Sequence, residues 1–212
     1  MKHIILITIL LLICACSESN DTIELNKNYF FNKDITYWNM QNNNGNNAYF
    51  QALENTEISL AMRFWDTSES SRINIIATPI NFVYWENGMK KQQFYALINH
   101  NNTLYFATKK HPLIANYNLD FYIYLFTIPN EIPNQNHKEF DSIEYPYGAT
   151  TWKMNYNAEW IINSIASDTN KIYDVRYTAS NNMATSPTYF EDFSFMEGYG
   201  FYTYMGYNLI KD

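Results

Sequence analysis

The side chains with the most distinctive chemistry in this sequence are two thiols. Cys14 and Cys16 are the only cysteines among 212 residues, and they follow an apolar run, residues 4–13, that only Thr8 interrupts. As a helix of about ten residues, this run would cover about half of a ~30 Å hydrocarbon core. It is too short to span a bilayer. With Lys2 as a positive start, it has the length of the apolar segment of a secretory signal peptide.

The segment Ile13-Cys14-Ala15-Cys16 resembles the lipobox of bacterial lipoproteins, in which an aliphatic residue, a small residue and alanine precede a cysteine. The resemblance covers the leader only. It implies that Cys16 receives a thioether-linked lipid, that the chain is cleaved after Ala15, and that the new amino terminus is acylated. The alternatives are an ordinary signal peptide cleaved elsewhere, or a short membrane anchor.

The resemblance also predicts how the chain is divided and where it resides. Residues 1–15 are a signal peptide, residues 16–28 a polar lipidated tether, and residues 29–212 a single β-rich domain. The membrane is then a partner through the lipid anchor, since several acyl chains bind far more durably than one. Ser17 resembles the sorting position of enteric lipoproteins that are transferred to the outer membrane. We therefore expect a lipid-anchored protein of the bacterial cell envelope, at the outer membrane.

Catalytic chemistry finds little support in the rest of the chain. With the leader removed and Cys16 modified, no free thiol is left for a disulfide or for thiolate catalysis. The sequence contains no G-x-S-x-G, H-E-x-x-H, P-loop or G-x-G-x-x-G motif. His100, His111 and His137 lack the spacing of metal ligands, and residues 167–170 supply only a fragment of a calcium loop. We therefore predict no cofactor, no metal site and no enzymatic activity.

One carboxylate cluster, Glu191, Asp192 and Glu197, has the residue types that glycoside hydrolysis uses. That reaction needs two carboxyl groups about 5 to 9.5 Å apart. On a straight strand Glu191 and Glu197 would lie about 20 Å apart. We interpret the cluster as a solvated acidic edge that discourages strand pairing, and a glycan hydrolase is a less favoured function.

Aromatic side chains are the strongest candidates for binding. They make up 18% of the residues and include 19 tyrosines, whose apolar rings carry one polar tip. On alternating strands, Tyr122 and Tyr124 would share a face, as would Tyr202 and Tyr204, and Trp85 would lie near a strand end. Such rings stack on sugars, line lipophilic pockets or anchor protein partners. The alternative is that they pack an aromatic-rich core. We predict these five residues as the ligand-binding set.

The elements that must position these side chains are mostly strands, because apolar residues recur with a period of two over much of the chain. Asn87-Gly88 predicts a type I′ hairpin turn within a three-stranded meander over about residues 80–108. Residues 128–150 hold three prolines and are interpreted as a long loop or a domain joint. Residues 157–168 predict one short helix, with a strand as the alternative. The predicted fold is mainly β, an antiparallel meander that forms a sandwich or a small barrel, lipocalin-like in one version.

The net charge of the chain further restricts the classes of partner. The net charge is −7 and the chain has no basic run, which argues against nucleic acid as a partner. We expect a non-enzymatic surface lipoprotein whose β domain binds a ligand or a protein partner through an aromatic-rich surface or a cavity. The alternative is a structural accessory subunit of an envelope complex.

Overall fold

In the part of the chain that the computed structural model describes, all regular secondary structure consists of β-strands. The structure describes residues 31–32, 34–61, 72–101, 103–111, 118–129, 135–147, 150–163, 170–181 and 189–210. The predicted signal peptide of residues 1–15 and the predicted lipidated tether of residues 16–28, with Cys16, lie outside the described residues. Within the described part of the chain, no helix has the length and apolarity needed to cross a membrane.

The described residues form thirteen strands, which confirms the mainly β class. In chain order they are β1 (Tyr37–Asn42), β2 (Asn47–Ala52), β3 (Thr56–Ala61), β4 (Arg72–Glu86), β5 (Met89–His100), β6 (Thr103–Lys110), β7 (Asn118–Ile128), β8 (His137–Tyr147), β9 (Thr150–Asn163), β10 (Ile172–Asn181), β11 (Tyr189–Met196), β12 (Gly200–Tyr204) and β13 (Tyr207–Leu209).

These strands belong to one sheet, in the order β3-β7-β6-β5-β4-β2-β1-β13-β12-β11-β10-β9-β8. Most neighbours are consecutive in the chain and antiparallel, which is the arrangement of a meander. The meander predicted over residues 80–108 is confirmed as β4, β5 and β6. Its first turn has positive φ at Asn87 (52°) and at Gly88 (75°), as a type I′ turn requires.

Five of the strands close into a ring. β3 pairs in parallel with β7 and antiparallel with the first part of β4, which joins the two ends of the series β7-β6-β5-β4. A separate apolar cluster draws residues from each of these five strands: Ile58, Leu60, Ala77, Ala96, Ile98, Ala107 and Tyr122. Alanine recurs in this cluster because the interior of so small a ring is narrow.

The sheet as a whole curls around a larger, mostly aromatic core. Phe126 on β7 meets Trp160 on β9 edge-on, with 5.9 Å between ring centroids, although the two strands lie near opposite ends of the sheet order. Phe50 on β2 is fully buried and stacks on Phe201 of β12 at 4.0 Å. Such pairs add about 0.5–1.5 kcal/mol each beyond the burial of their area. Much of the aromatic excess in the sequence therefore serves packing.

The helix predicted over residues 157–168 is wrong for residues 157–163, where the alternative of a strand is confirmed. Strand β9 continues through Asn163, and the residues after it, 164–168, lie outside the described part. Ile161 and Ile162 have β-branched side chains that suit a pleated strand. Pairing of β9 with β8 on one side and β10 on the other overrides the local helical pattern.

The long loop predicted over residues 128–150 is also wrong, because β8 occupies most of its second half. β8 pairs with β9 in antiparallel orientation along its whole length. Pro146 lies within it, and a proline is tolerated there because β8 ends the sheet order and an edge strand can lack one ladder donor.

The Glu139 carboxylate links two strands of the curled sheet that are not neighbours in the sheet order. Glu139 on β8 accepts hydrogen bonds from the backbone N–H of Thr127 (3.1 Å), from the Thr127 hydroxyl, and from the Tyr124 hydroxyl (3.3 Å). Both partners belong to β7, near the other end of the sheet order. Burial raises the pKa of Glu139, while the hydrogen bonds from Thr127 and Tyr124 act in the opposite direction.

Replacing this carboxylate with an amide, Glu139→Gln, is expected to be neutral or stabilising at neutral pH. Because burial places the folded-state pKa above the unfolded value, the contribution of Glu139 is fully present below the unfolded pKa. It declines as pH rises through the folded pKa. The amide oxygen still accepts from Thr127 without the cost of a buried charge. Urea unfolding over a pH series should therefore show that the free energy of unfolding depends less on pH in the variant, between the unfolded-state and folded-state pKa of Glu139.

The matched control is Glu57→Gln, at an exposed position of β3. This variant should keep the wild-type dependence of unfolding free energy on pH. A Glu139→Gln profile that falls with rising pH as steeply as that of the wild type would contradict the proposed origin of the dependence.

Candidate functional site

The five aromatic residues predicted as a ligand-binding set do not form one site. Tyr122 is buried within the five-stranded ring. Tyr124 is half-buried, with its ring edge-on to that of Tyr105 at 5.3 Å and its hydroxyl directed to Glu139. The positions of these two tyrosines favour the packing alternative over a ligand surface.

Tyr202 and Tyr204 do not share a face, contrary to the prediction from alternation. The register of β11 and β12 shifts between Ser194 and Phe195, so that β12 accommodates one extra residue, Tyr202. Tyr204 consequently lies in the aromatic core, whereas Tyr202 lies half-buried on the outer side of the sheet. The bulge separates two side chains that simple alternation would place together.

Glu191, predicted as part of a solvated acidic edge, is buried, with 6% of its surface exposed. Its carboxylate accepts hydrogen bonds from the hydroxyls of Tyr95 (2.6 Å), Tyr204 and Tyr189. The Tyr95 and Tyr204 hydroxyls also lie within 2.7 Å of the Gln93 amide oxygen. We call these five residues the tyrosine–glutamate cluster. The neighbouring Asp192 does face solvent, where it pairs with Arg176 at 3.2 Å.

The electrostatics of the tyrosine–glutamate cluster keep its phenols neutral. Burial raises the pKa of Tyr95, Tyr189 and Tyr204, and the adjacent Glu191 raises each of them further. Neutral phenols act as hydrogen-bond donors, and three donors on one carboxylate compensate for its removal from water. Because these donors occupy both carboxylate oxygens, we assign the cluster a structural role.

The surface has two open depressions on the strands around β11, with volumes of about 640 Å³ and about 450 Å³, and the larger one borders the tyrosine–glutamate cluster. Lys110 and Glu191 line the larger one. The smaller one lies around Tyr202, on the outer side of β10 to β12. There, the Ser194 hydroxyl donates to Asp174, so polar groups of this depression bond to one another. Neither depression gathers side chains in an arrangement typical of a known reaction.

A further candidate for a functional site is the outer face of β1, β2, β4 and β5. Residues that pair directly across strands share a face, and side chains two positions apart along a strand do as well. The register therefore places twelve residues together, namely Tyr37, Asn39, Gln41, Asn47, Tyr49, Gln51, Asn81, Val83, Trp85, Lys90, Gln92 and Phe94. We call this set the aromatic–amide face.

Three rings cross the aromatic–amide face diagonally, one from each of three adjacent strands. Tyr37 stacks on Tyr49 with 4.9 Å between centroids, and Tyr49 is tilted toward Trp85 at 6.3 Å. The end rings are open to solvent, Tyr37 to 45% and Trp85 to 42%. The opposite side of the same strands is held in the aromatic core by Trp38, Phe50 and Phe82. The sheet thus presents an exposed ring ladder on a rigid support.

Carboxamides occupy most of the remaining positions, on both sides of the ring ladder. They are Asn39, Gln41, Asn47, Gln51, Asn81 and Gln92. The Gln41 amide donates to the Asn47 side chain at 3.1 Å, which fixes two of them relative to each other. Among the described residues that form the face, Lys90 alone carries a charge.

Trp85 is the one member of the predicted ligand-binding set that lies on this face; sequence reasoning missed Tyr37 and Tyr49. A signal for them exists in YWNMQN and NAYFQA, the sequences of β1 and β2. Each alternates a tyrosine and two carboxamides with residues that are mostly apolar. The diagonal alignment of three rings depends on register between strands, which neither segment encodes alone.

Comparisons with known proteins do not assign this chain to a family. No family model, curated protein or solved structure matches this chain. Across the part of the chain that the structure describes, no three His, Cys, Asp or Glu side chains are grouped to hold a metal ion. A functional assignment therefore depends on the aromatic–amide face and on the lipobox-like segment that ends at Cys16.

Proposed function

We propose that this protein is a lipid-anchored, non-enzymatic binding protein of the bacterial cell envelope, at the outer membrane, and that it binds through the aromatic–amide face. The observation that carries this proposal is the exposed ring ladder Tyr37–Tyr49–Trp85. Aromatic side chains that become covered on binding contribute a large apolar area with few lost rotamers. The lipobox-like segment that ends at Cys16 supports the anchor.

A surface is favoured over an internal cavity as the binding element. A lipocalin-like barrel holds its ligand in an open lumen. In the described part of this protein, the inner face of the sheet is filled by side chains with no exposed surface, among them Phe50, Phe82, Phe106, Phe126 and Phe195. A ligand would have to displace packed rings to enter, whereas the aromatic–amide face is open.

Removing an end ring of the ladder is expected to weaken binding strongly and stability little. Trp85→Ala should reduce the affinity of the purified full chain for immobilised envelope fragments of the producing bacterium by about 10- to 100-fold, as at a hot-spot aromatic residue. Tyr37→Ala should act in the same direction. The measurement is a binding titration, with urea unfolding of each variant to show that the fold is retained.

The matched control is Phe190→Ala. Phe190 is 63% exposed and lies on β11, outside the aromatic–amide face. This variant should bind as the wild type does. Wild-type affinity in both Trp85→Ala and Tyr37→Ala would remove the face from the proposal.

The anchor is tested separately, with Cys16→Ser. We expect this variant to lose labelling by palmitate and to move from the membrane fraction to the soluble fraction, because its acyl chains supply the membrane affinity. Cys14→Ser is the control, since the resemblance places the modified thiol at position 16, and it should stay labelled and membrane-bound. Continued labelling of Cys16→Ser would refute the anchor.

A further inference from the structure

The chemistry of the aromatic–amide face narrows the class of ligand. Each carboxamide carries a donor NH₂ group and an acceptor oxygen. Two neighbouring hydroxyls on a sugar ring offer the same combination, so one side chain can bind both. Six carboxamides are available on this face: Asn39, Gln41, Asn47, Gln51, Asn81 and Gln92. The pattern is suited to a ligand rich in hydroxyl groups.

The ring ladder supplies the second feature of such a ligand. The Tyr37 and Tyr49 rings cover the faces that they turn to each other. Tyr37 and Trp85, the two end rings of the ladder, are also exposed to solvent. Sugar rings have apolar faces of C–H groups that pack against aromatic rings. The ladder crosses two strand spacings, or roughly 10 Å, which accommodates a short oligosaccharide segment with the carboxamides beside it.

Charge distinguishes between the classes of glycan. Lys90, at one corner, is the one charged residue among the described members of the face. An acidic glycan would be expected to face several cations, since buried or partly buried anions need partners. A protein partner would favour an interface with a larger apolar centre, whereas here Val83 is already buried and the rings alone are apolar and open.

We infer that the ligand of the aromatic–amide face is a neutral glycan, held by stacking on Trp85 and Tyr37 and by carboxamide hydrogen bonds to its hydroxyls. This inference rests on the proposed function and names the ligand class for the same site.

The test uses the full chain purified in mild detergent and envelope fragments treated in two ways. Periodate cleaves vicinal diols and destroys sugar rings, and proteinase removes proteins but leaves glycans. We expect periodate to abolish retention of the wild type and proteinase to leave it unchanged. Retention should also persist in 1 M salt, where the Debye length is about 3 Å and ionic attraction is screened. Immobilised dextran, mannan, starch and galactan, with alginate as the acidic comparison, then identify the neutral sugar.

A site variant links the glycan to the carboxamides. Gln51→Glu keeps the shape of the side chain but removes its NH₂ donor and adds a charge, so affinity should fall about tenfold, while the control Phe190→Ala stays at wild-type affinity. Unchanged affinity in Gln51→Glu would overturn the carboxamide recognition.

The outcomes separate this inference from the proposed function. If proteinase abolishes retention and periodate does not, or if salt abolishes it, the neutral glycan is refuted while a Trp85-dependent binding face stands. If Trp85→Ala and Tyr37→Ala bind every sample as the wild type does, both proposals fail.

Discussion

Replacing Glu191 with leucine is expected to lower the free energy of unfolding by about 3–5 kcal/mol. The carboxylate is the shared acceptor for the buried hydroxyls of Tyr95 and Tyr204 and for the hydroxyl of the half-buried Tyr189. Leucine has a comparable size but no acceptor. The Tyr189 hydroxyl then loses the carboxylate, and the Tyr95 and Tyr204 hydroxyls are left to share the Gln93 amide oxygen. Each buried donor that loses its partner costs about 1–3 kcal/mol. Urea unfolding followed by near-UV circular dichroism measures the loss.

Companion variants identify the cause of that loss. Glu191→Gln keeps an acceptor oxygen and should be clearly less damaging than leucine. Adding Tyr204→Phe to Glu191→Leu should recover part of the stability, because it removes one of the stranded hydroxyls. Asp192→Asn, at the exposed neighbouring position, should change stability by no more than about 0.5 kcal/mol. If Glu191→Leu were as mild as Asp192→Asn, the buried cluster would be contradicted.

Truncating Phe50 to alanine is expected to cost about 3–5 kcal/mol. The ring is fully buried and contacts Phe201 at 4.0 Å and Phe82 at 4.6 Å between centroids. These neighbours belong to β12 and β4, whose backbones are held in the sheet on both sides, so the cavity cannot collapse. The same unfolding titration gives the size of the effect.

Phe190→Ala removes an equal side chain from an exposed position and should cost less than about 1 kcal/mol. Phe50→Leu should fall between the two, because it leaves a smaller void. A Phe50→Ala loss as small as that of Phe190→Ala would show that the inner face of β2 is not packed as described.

The packing of Phe50 also bears on the aromatic–amide face, since β2 carries a core ring and a ladder ring at adjacent positions. Phe50 faces the core and Tyr49 faces outward. A strand that is anchored by its inner side holds the outer ring in place, and pre-positioned rings lose less entropy on binding. The aromatic core is in this sense the support of the aromatic–amide face.

Local sequence was sufficient for the fold class and for one turn. The period-two pattern predicted strands because side chains on a strand alternate between two environments, and this holds for β1 (Tyr37–Asn42) and β2 (Asn47–Ala52). Asn87-Gly88 predicted a hairpin because few residues accept positive φ at both positions. Both signals act over a few residues and need no distant partner.

The errors arose where distant partners decide the outcome. Residues 157–163 have a helical spacing of apolar groups, but two flanking strands hold them extended. The separation of Tyr202 from Tyr204 follows from a register shift against β11. The burial of Glu191 requires three tyrosines, of which Tyr95 comes from a strand almost a hundred residues earlier in the chain. None of these contacts can be predicted from the pattern of residues along one segment.

By itself, the sequence determined that this chain forms strands and that it is rich in aromatic rings, and its segment ending at Cys16 resembles a lipobox. Only the tertiary structure decided which rings face water. Alternation specifies that a strand has two sides, but the register and curling of the whole sheet determine which side is covered. That is why Tyr122 and Tyr204 lie in the interior while Tyr37 and Trp85 remain exposed to solvent.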